Sequence, residues 1–228
     1  MDNENDIVKL FKTNWPDNEK IYADAAQYAR DLCEAGLEEN NIHAIVTHRV
    51  KKVDRIEIKI RERMARATVY HNFDDILNDL PDLAGVRIAV YFPSDRKKLE
   101  EIITNSFDLI VKRQFPAKGS EHSTRFGGYS AEHFRVNLKV DRLTSETLQP
   151  PFQKLSPKIE IQVMSVLMLA WAEVDHKLVL KQKKGMPPPS PEELQMLDAL
   201  NGIVQTGEVL LDGLQTAFCK RELYKDEL

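Results

Sequence analysis

The chain has 228 residues, of which 42% are hydrophobic and 30% are charged, and its formal net charge is −4. This composition is typical of one large globular domain or of a catalytic domain with helical additions. The mildly acidic balance argues against binding of long nucleic acid. No stretch has the length of a membrane span, and the acidic, polar N-terminus is unlike a signal peptide, so we expect a cytoplasmic protein without a membrane partner.

Two short features bear on the cellular compartment. Cys33 and Cys219 lie far apart and form neither a metal-binding nor a redox spacing, so we expect two reduced thiols. The last four residues, Lys225-Asp226-Glu227-Leu228, have the sequence of an ER-retrieval signal. Because that signal requires entry into the secretory pathway, we interpret it here as fortuitous.

The first third of the chain is predicted to be largely helical. Residues 1–40 form an N-terminal helical segment, in which a helix over residues 17–40 is capped by Asp17 after Pro16. A β-like stretch over residues 44–47 leads into a second helix over residues 51–66. Residues 49–66 carry eight basic and three acidic side chains, a stripe that indicates phosphate binding or, in part, a solvated helix face with paired charges.

The middle of the chain alternates strands and helices. Strands are predicted over residues 85–92, 107–113, 133–140 and 158–163, and helices over residues 94–105 and 164–181. Gly and Pro residues indicate loops over residues 114–128 and 141–157. The pattern predicts an α+β fold in which a mixed sheet of about five strands lies within a core over residues 41–184. A Pro-rich linker and a long amphipathic helix follow over residues 185–228.

Two carboxylates on strand segments, Asp82 and Glu160, are the main candidates for chemistry. Around Glu160, polar and apolar residues alternate over residues 159–163, so one strand face is apolar and the other carries an acid beside the amide of Gln162. An acid on an apolar sheet requires compensation, and a divalent metal shared with Asp82 would supply it. A solvated sheet face is the alternative interpretation of the spacing alone.

Five short motifs occur in a fixed order along residues 40–215. They are Arg49-Val50-Lys51 with Lys59, Asp82-Leu83-Ala84-Gly85-Val86-Arg87, Gly128-Tyr129-Ser130-Ala131-Glu132-His133, Ile159-Glu160-Ile161-Gln162 and Trp171-Ala172-Glu173-Val174-Asp175-His176-Lys177-Leu178. In this order they resemble the synthetase domain of the RelA/SpoT family, the alarmone (ppGpp) synthetases. The resemblance implies a small stand-alone enzyme of nucleotidyltransferase-like fold. Its reaction would transfer pyrophosphate from ATP to the 3′-hydroxyl of a purine nucleotide, GDP or GTP before others, with Mg2+ as cofactor.

The resemblance also implies a role for each candidate residue. Asp82 and Glu160 would be catalytic and hold Mg2+, with Glu160 either completing the metal site or activating the attacking hydroxyl. Planar guanidinium groups would stack on adenine and ammonium groups would meet phosphates, so ATP binding is assigned to Arg49, Lys51, Lys59, Arg61 and Arg87. Acceptor binding, with a tyrosine stacked on the base, is assigned to Tyr129, His133, Gln162, Arg113, Lys118 and Arg125.

Three positions depart from the family pattern, namely His48, Ser130 and the pair Val163-Met164. These departures leave the predicted metal-binding and ATP-binding residues unchanged but lie near the acceptor. An adenosine nucleotide is therefore an alternative acceptor to GDP or GTP. Two alternative functions also stay open: a toxin-type relative that pyrophosphorylates the 3′ end of tRNA, and a catalytically silent protein that binds nucleotides and signals. The apolar C-terminal helix allows a homo-oligomer.

Overall fold

The computed structural model of the protein describes residues 2–115, 128–139, 157–180 and 185–223. Its strands are β1 (Ala44–Val50), β2 (Ala84–Val90), β3 (Phe107–Phe115), β4 (Ala131–Leu138) and β5 (Ile159–Ser165). They form one sheet in the order β1-β2-β5-β4-β3, in which β2 and β5 run parallel and the other neighbours antiparallel. The predicted α+β class and the mixed sheet of about five strands are confirmed.

Helices lie before, between and after the strands. They are α1 (Asp2–Glu39), α2 (Val53–Ala65), α3 (Phe73–Asp79), α4 (Arg96–Ser106), α5 (Val166–Asp175) and α6 (Pro191–Leu223). A 3-10 turn over Pro93–Asp95 precedes α4, and a π-helical turn over His176–Leu180 follows α5. In the described ranges, no helix combines the length and the apolarity that a membrane crossing requires.

α1 begins at Asp2, so the predicted helix start at residue 17 was wrong. Pro16 lies inside this helix, where a proline costs about 3 kcal/mol because it removes one backbone hydrogen bond. The side chains of Phe11 and Trp15 are fully buried and stack with their ring centroids 5.2 Å apart. Burial of two large aromatic side chains offsets the cost of the proline, so the helix continues through it.

Two other local predictions differ from the structure. α3 was missed, although Asn72 and Asp75 form a reciprocal capping box at its start, because seven residues show too little periodicity. The helix predicted from residue 164 begins at Val166, since Ser165 ends β5 and caps α5 by accepting a hydrogen bond from the Met168 amide. The predicted loop over residues 114–128 and the connection over residues 141–157 lie almost entirely outside the described ranges.

The buried side chains form two clusters. The larger one lies between one face of the sheet and the first four helices, and it includes fully buried Ile88, Phe134 and Ile161. The smaller one joins the sheet to α5 and α6 through Ala131, Met164, Met168, Trp171, Leu197 and Val204. Of the two cysteines, Cys33 is buried in the larger cluster and Cys219 is exposed on α6. The face of the sheet opposite the larger cluster is covered by the smaller cluster at Ala131 and Met164 and carries polar side chains on the neighbouring positions of β4 and β5.

Candidate active site

The sheet face opposite the larger cluster, which we call the polar face, aligns most of the predicted site residues. Directly opposed residues of neighbouring strands point to the same side of a sheet. One row across the strands consists of Arg49, Gly85, Glu160 and Arg135. The next row consists of Thr47, Arg87, Gln162, His133 and Arg113. Residues from four separate sequence motifs are thus brought together by strand register alone.

Gly85 opens a space in the middle of the first row. A Cβ atom at this position would lie 3.3 Å from the backbone oxygen of Glu160, which is closer than an ordinary contact. Gly85 lines a cavity of about 360 Å³, open to solvent, that also borders Arg49 and Glu160. Its lining consists of Thr47, His48, Arg49, Asp82, Gly85, Val86, Arg87, Glu160 and Gln162.

Asp82 lines this cavity and is held by two lysines. Lys51 Nζ lies 2.6 Å from Asp82 Oδ2, and Lys59 Nζ of α2 lies 2.9 Å from both carboxylate oxygens. Burial alone would raise the pKa of Asp82, but the two ammonium groups outweigh it and lower that pKa to about 2. Burial and the neighbouring Lys59 lower the pKa of Lys51 in spite of Asp82. The carboxylate is therefore ionised and already carries two counter-charges.

Glu160 is oriented by two neighbours on the polar face. Gln162 Nε2 donates to Glu160 Oε2 over 2.9 Å, and His133 Nδ1 lies 3.5 Å from Glu160 Oε1. Burial would raise the pKa of Glu160, but the contacts with His133 and Gln162 outweigh it, so the pKa is lowered. Glu160 is thus an ionised, fixed carboxylate in the same cavity as Asp82.

The donor atoms in this cavity fit a magnesium ion. Mg2+ prefers oxygen ligands, and it commonly binds one or two protein carboxylates together with water and substrate phosphates. Asp82 and Glu160 supply two ionised carboxylates. Within the described ranges, no group of three His, Cys, Asp or Glu side chains could hold a metal. A metal here would therefore depend on a phosphate-bearing ligand for the rest of its coordination.

A second, larger cavity lies at the β4 and α5 side of the polar face. Its volume is about 750 Å³, and it shares Arg49, Arg87 and Gln162 with the smaller cavity, so the two form one cleft. The remaining lining residues are Tyr129, His133, Met164, Trp171, Ala172, Glu173, Asp175 and His176. Aromatic and apolar walls beside guanidinium groups suit the ring systems of nucleotides.

Tyr129 is the aromatic side chain that connects this cavity to Glu160. Its hydroxyl lies 3.0 Å from His133 Nε2, and the Phe115 ring lies tilted against both rings, with its centroid 6.1 Å from that of Tyr129 and 4.7 Å from that of His133. Burial raises the pKa of Tyr129 to about 12, so the phenol stays protonated at neutral pH. The contacts run from Tyr129 through His133 to the catalytic candidate Glu160.

Arg87 projects between the two cavities and is already paired. Its Nη1 lies 2.6 Å from Glu173 Oε1 on α5, and the pair is more exposed on the Glu173 side. Its Nε is buried and meets no hydrogen-bond partner in the part of the chain that the structure describes. One edge of the guanidinium group is therefore fixed by Glu173, while its Nε is left unsatisfied.

The remaining predicted residues are placed differently. Arg61 pairs with Glu4 of α1 at 2.6 Å and with Glu57 of its own helix at 3.0 Å, so the structure does not bring it to the predicted phosphate site. Two residues apart on a helix, Lys59 and Arg61 cannot share a face. Arg113 lies on the polar face but is exposed. Lys118 and Arg125 lie outside the described residues.

Two polar residues of this region were missed by the sequence analysis. Arg135 lies opposite Glu160 on the polar face, and burial and the nearby Arg113 lower its pKa. The strand alternation over residues 133–140 could have indicated its direction. Asn201 of α6 is fully buried and bonds to Gly128. Its only sequence signal was a polar residue on an otherwise apolar helix stripe.

Comparison with known families places this site in context. Residues 48–185 match the family model described as a region found in RelA / SpoT proteins. Among curated proteins, the chain is similar to the GTP pyrophosphokinase YwaC of Bacillus subtilis (strain 168). The two are 24% identical over 196 residues, which cover 83% of this chain and 86% of YwaC.

Solved structures agree with this fold. A GTP pyrophosphokinase family protein from Streptococcus pneumoniae aligns with a TM-score of 0.68 and 22% identity, covering 91% of this chain and 95% of its own. The small alarmone synthetase 1 from Bacillus subtilis aligns with a TM-score of 0.69 and 19% identity, covering 90% of this chain and 98% of its own. The same synthetase has been solved with its product pppGpp and with AMPCPP, and these structures align at TM-scores of 0.64 and 0.65.

Proposed function

The chain belongs to the RelA/SpoT family, and from this premise we propose that it is an alarmone synthetase that transfers pyrophosphate from ATP to the 3′-hydroxyl of a purine nucleotide. The observation that carries the proposal is the single cleft on the polar face. The cleft joins two ionised carboxylates to a basic wall on one side and to an aromatic pocket on the other. A phosphoryl-type transfer needs these parts in one place, because its catalysis is mostly positioning and charge stabilisation.

ATP is assigned to the half of the cleft formed by β1, α2 and β2. Arg49 and Arg87 present planar guanidinium groups to the adenine ring, and Lys51 and Lys59 present ammonium groups to the phosphates. Both lysines now contact Asp82, so each has a carboxylate partner that a triphosphate chain would replace. Asp82 and Glu160 would hold a bound Mg2+, which would supply positive charge against the phosphates.

The acceptor is assigned to the half formed by β4, β5 and α5. Tyr129 offers a face on which a purine base stacks, a contact worth about 1–3 kcal/mol. His133 and Gln162 orient Glu160 at the border of the two halves. Since the pKa of Glu160 is lowered, this carboxylate is a weak proton acceptor, and we favour charge and metal binding over general-base catalysis as its role.

The proposal is tested with purified protein, Mg2+ and ATP labelled on the γ-phosphate, in separate reactions with GDP, GTP, AMP, ADP, ATP or bulk tRNA. We expect label on a guanine nucleotide and its loss in the Asp82→Asn and Glu160→Gln variants. The Asp108→Asn variant is the matched control, because Asp108 is an exposed carboxylate on the edge strand β3. Label on tRNA alone would support the toxin-type alternative, and a folded protein that binds ATP without transfer would support the silent relative.

We further propose that two copies of the chain pair through α6. Five apolar residues between 39% and 68% exposed follow the alternating four-and-three spacing of a helix-pairing seam along one stripe of this helix, with Gly207 at the one skipped position: Met196, Leu200, Ile203, Leu210 and Leu214. The first turn of α6 is acidic and the last turn is basic. An antiparallel pair of two α6 helices would therefore place opposite charges against each other.

The pairing is tested by light scattering during size-exclusion chromatography at micromolar concentration. We expect a mass of two chains or a multiple of it, and a single-chain mass for Leu210→Glu. Thr216→Glu is the control, since Thr216 is exposed on the opposite side of α6. A wild-type protein that elutes as a single chain would contradict the proposal.

A further inference from the structure

α6 reaches the acceptor half of the cleft through one fully buried side chain. Asn201 Oδ1 accepts a hydrogen bond from the Gly128 amide over 3.0 Å, and Asn201 Nδ2 donates to the Gly128 carbonyl over 3.1 Å. A single side-chain amide thus satisfies both backbone groups of one residue, as a neighbouring strand would. Gln205, one turn later on α6, donates to Asn201 Oδ1 over 2.6 Å and so helps to fix the orientation of the amide.

Gly128 is the residue directly before Tyr129 and has φ of 134°. L-residues with a side chain rarely adopt this backbone conformation, whereas glycine does so at little cost. Nothing lies within 4 Å of the place where a Cβ atom would stand, so backbone conformation rather than space requires glycine here. The hydrogen bonds from Asn201 therefore hold the chain in a specific direction at the point where it enters Tyr129.

α6 also supports the buried side chains against which Tyr129 packs. Leu197, one turn before Asn201, is buried, and its carbonyl accepts a hydrogen bond from Trp171 Nε1 over 2.9 Å. Tyr129 packs against the smaller core cluster, to which Leu197 and Trp171 both belong. At its other end, the Tyr129 hydroxyl contacts His133. Tyr129 is thus fixed through its backbone by α6 and through its hydroxyl by β4.

We propose that Asn201 is a positioning residue for the acceptor nucleotide, acting through Gly128 on the stacking face of Tyr129. This inference rests on the proposed function, because it names a determinant of acceptor binding in the same cleft. It assigns to α6, which follows the residues matched by the family model, a part in shaping the active site. Asn201 touches neither Asp82 nor the lysines, so its effect is confined to the acceptor half.

The test measures KM for GDP, KM for ATP and kcat in the wild type, Asn201→Ala and Asn201→Asp. Loss of two buried hydrogen bonds predicts a rise of about tenfold or more in the KM for GDP in Asn201→Ala, with the KM for ATP changed less than twofold. Asn201→Asp keeps the side-chain shape but sets a carboxylate oxygen against the Gly128 carbonyl, so its KM for GDP should rise at least as much as that of Asn201→Ala. This isosteric variant carries the test if Asn201→Ala does not fold.

Gln215→Ala is the matched control, because Gln215 also ties α6 to the rest of the domain, through Asp95 and Ser94, but far from Gly128. It should leave the KM for GDP unchanged. In a double-mutant cycle, Asn201→Ala should add almost nothing to the KM for GDP of Tyr129→Ala, since both act through one ring. Full additivity, or an equal rise in Gln215→Ala, would overturn the inference. A wild type that transfers to no nucleotide would instead reject the proposed function.

Discussion

The two halves of the cleft are held in different ways. In the half assigned to ATP, Asp82 is fixed by two ion pairs, and its side chain is only 22% exposed. In the half assigned to the acceptor, Tyr129 is fixed by packing, by the contact of its hydroxyl with His133 and by backbone hydrogen bonds that begin on α6. The first half therefore depends on charge, and the second depends on shape. The two halves can therefore be distinguished by substitutions that remove a charge and keep the side-chain shape, or that remove the shape without changing the charge.

The largest effect is expected from removal of charge at Asp82. Asp82→Asn keeps the shape of the side chain but leaves Lys51 and Lys59 without a counter-charge, and it removes a carboxylate that we propose as a metal ligand. We expect turnover to fall by about 10³-fold or more, as for other lost transition-state charges, with KM for the acceptor little changed. Steady-state kinetics against the Asp108→Asn control measure this. Near-normal turnover of Asp82→Asn would contradict the inference that the half assigned to ATP depends on charge.

Removal of shape at Tyr129 should act on binding. Tyr129→Ala loses the stacking surface, and we expect the KM for the acceptor to rise by about 10- to 100-fold. Tyr129→Phe keeps the ring and loses only the contact with His133, so its KM should rise by no more than about fivefold. The comparison of the two variants is made at saturating ATP. If Tyr129→Phe were as impaired as Tyr129→Ala, the hydroxyl rather than the ring would define this half.

Low pH should specifically weaken the ion pairs of Asp82 in the half assigned to ATP. The pKa of Asp82 is about 2 in the folded protein and near 4 for a free aspartate, so its ion pairs contribute stability above about pH 4 that is lost as the pH falls through 2. The contribution is on the order of 2 kcal/mol. Urea unfolding of the wild type and Asp82→Asn should show a stability difference that shrinks by this amount between pH 5 and pH 2. A pH-independent difference would contradict the lowered pKa.

The smallest effect is expected at the border of the halves. Glu173 pairs with Arg87 at an exposed site, where an ion pair is worth about 1 kcal/mol or less. Glu173→Gln would free the guanidinium group for the adenine ring, so we expect the KM for ATP to fall about two- to threefold. Glu100→Gln is the control, because Glu100 pairs with Lys112 on another surface. A rise in the KM for ATP would show that Glu173 instead holds Arg87 in its working position.

The residues of the half assigned to ATP were easier to predict from the sequence than the contacts that shape the half assigned to the acceptor. Lys51, Asp82 and Arg87 lie in short motifs, and strand periodicity was enough to place Glu160 and Gln162 on one face. Arg61 was assigned to phosphate because its charge is visible in the sequence, whereas its partner Glu4 lies 57 positions away. Asn201 is 73 positions from Gly128, and no local pattern predicts such a contact. Long-range packing also explains why α1 continues through Pro16.

The contrast between the two cysteines gives α6 a built-in attachment point. Burial raises the pKa of Cys33 to about 12, so its thiolate is scarce and maleimide reagents cannot reach it. Cys219 is exposed near the end of α6, on the helix that carries Asn201. A fluorophore added to the unmodified protein would therefore attach at one defined place. Its emission and anisotropy would follow the motion of this helix during turnover without any engineered cysteine.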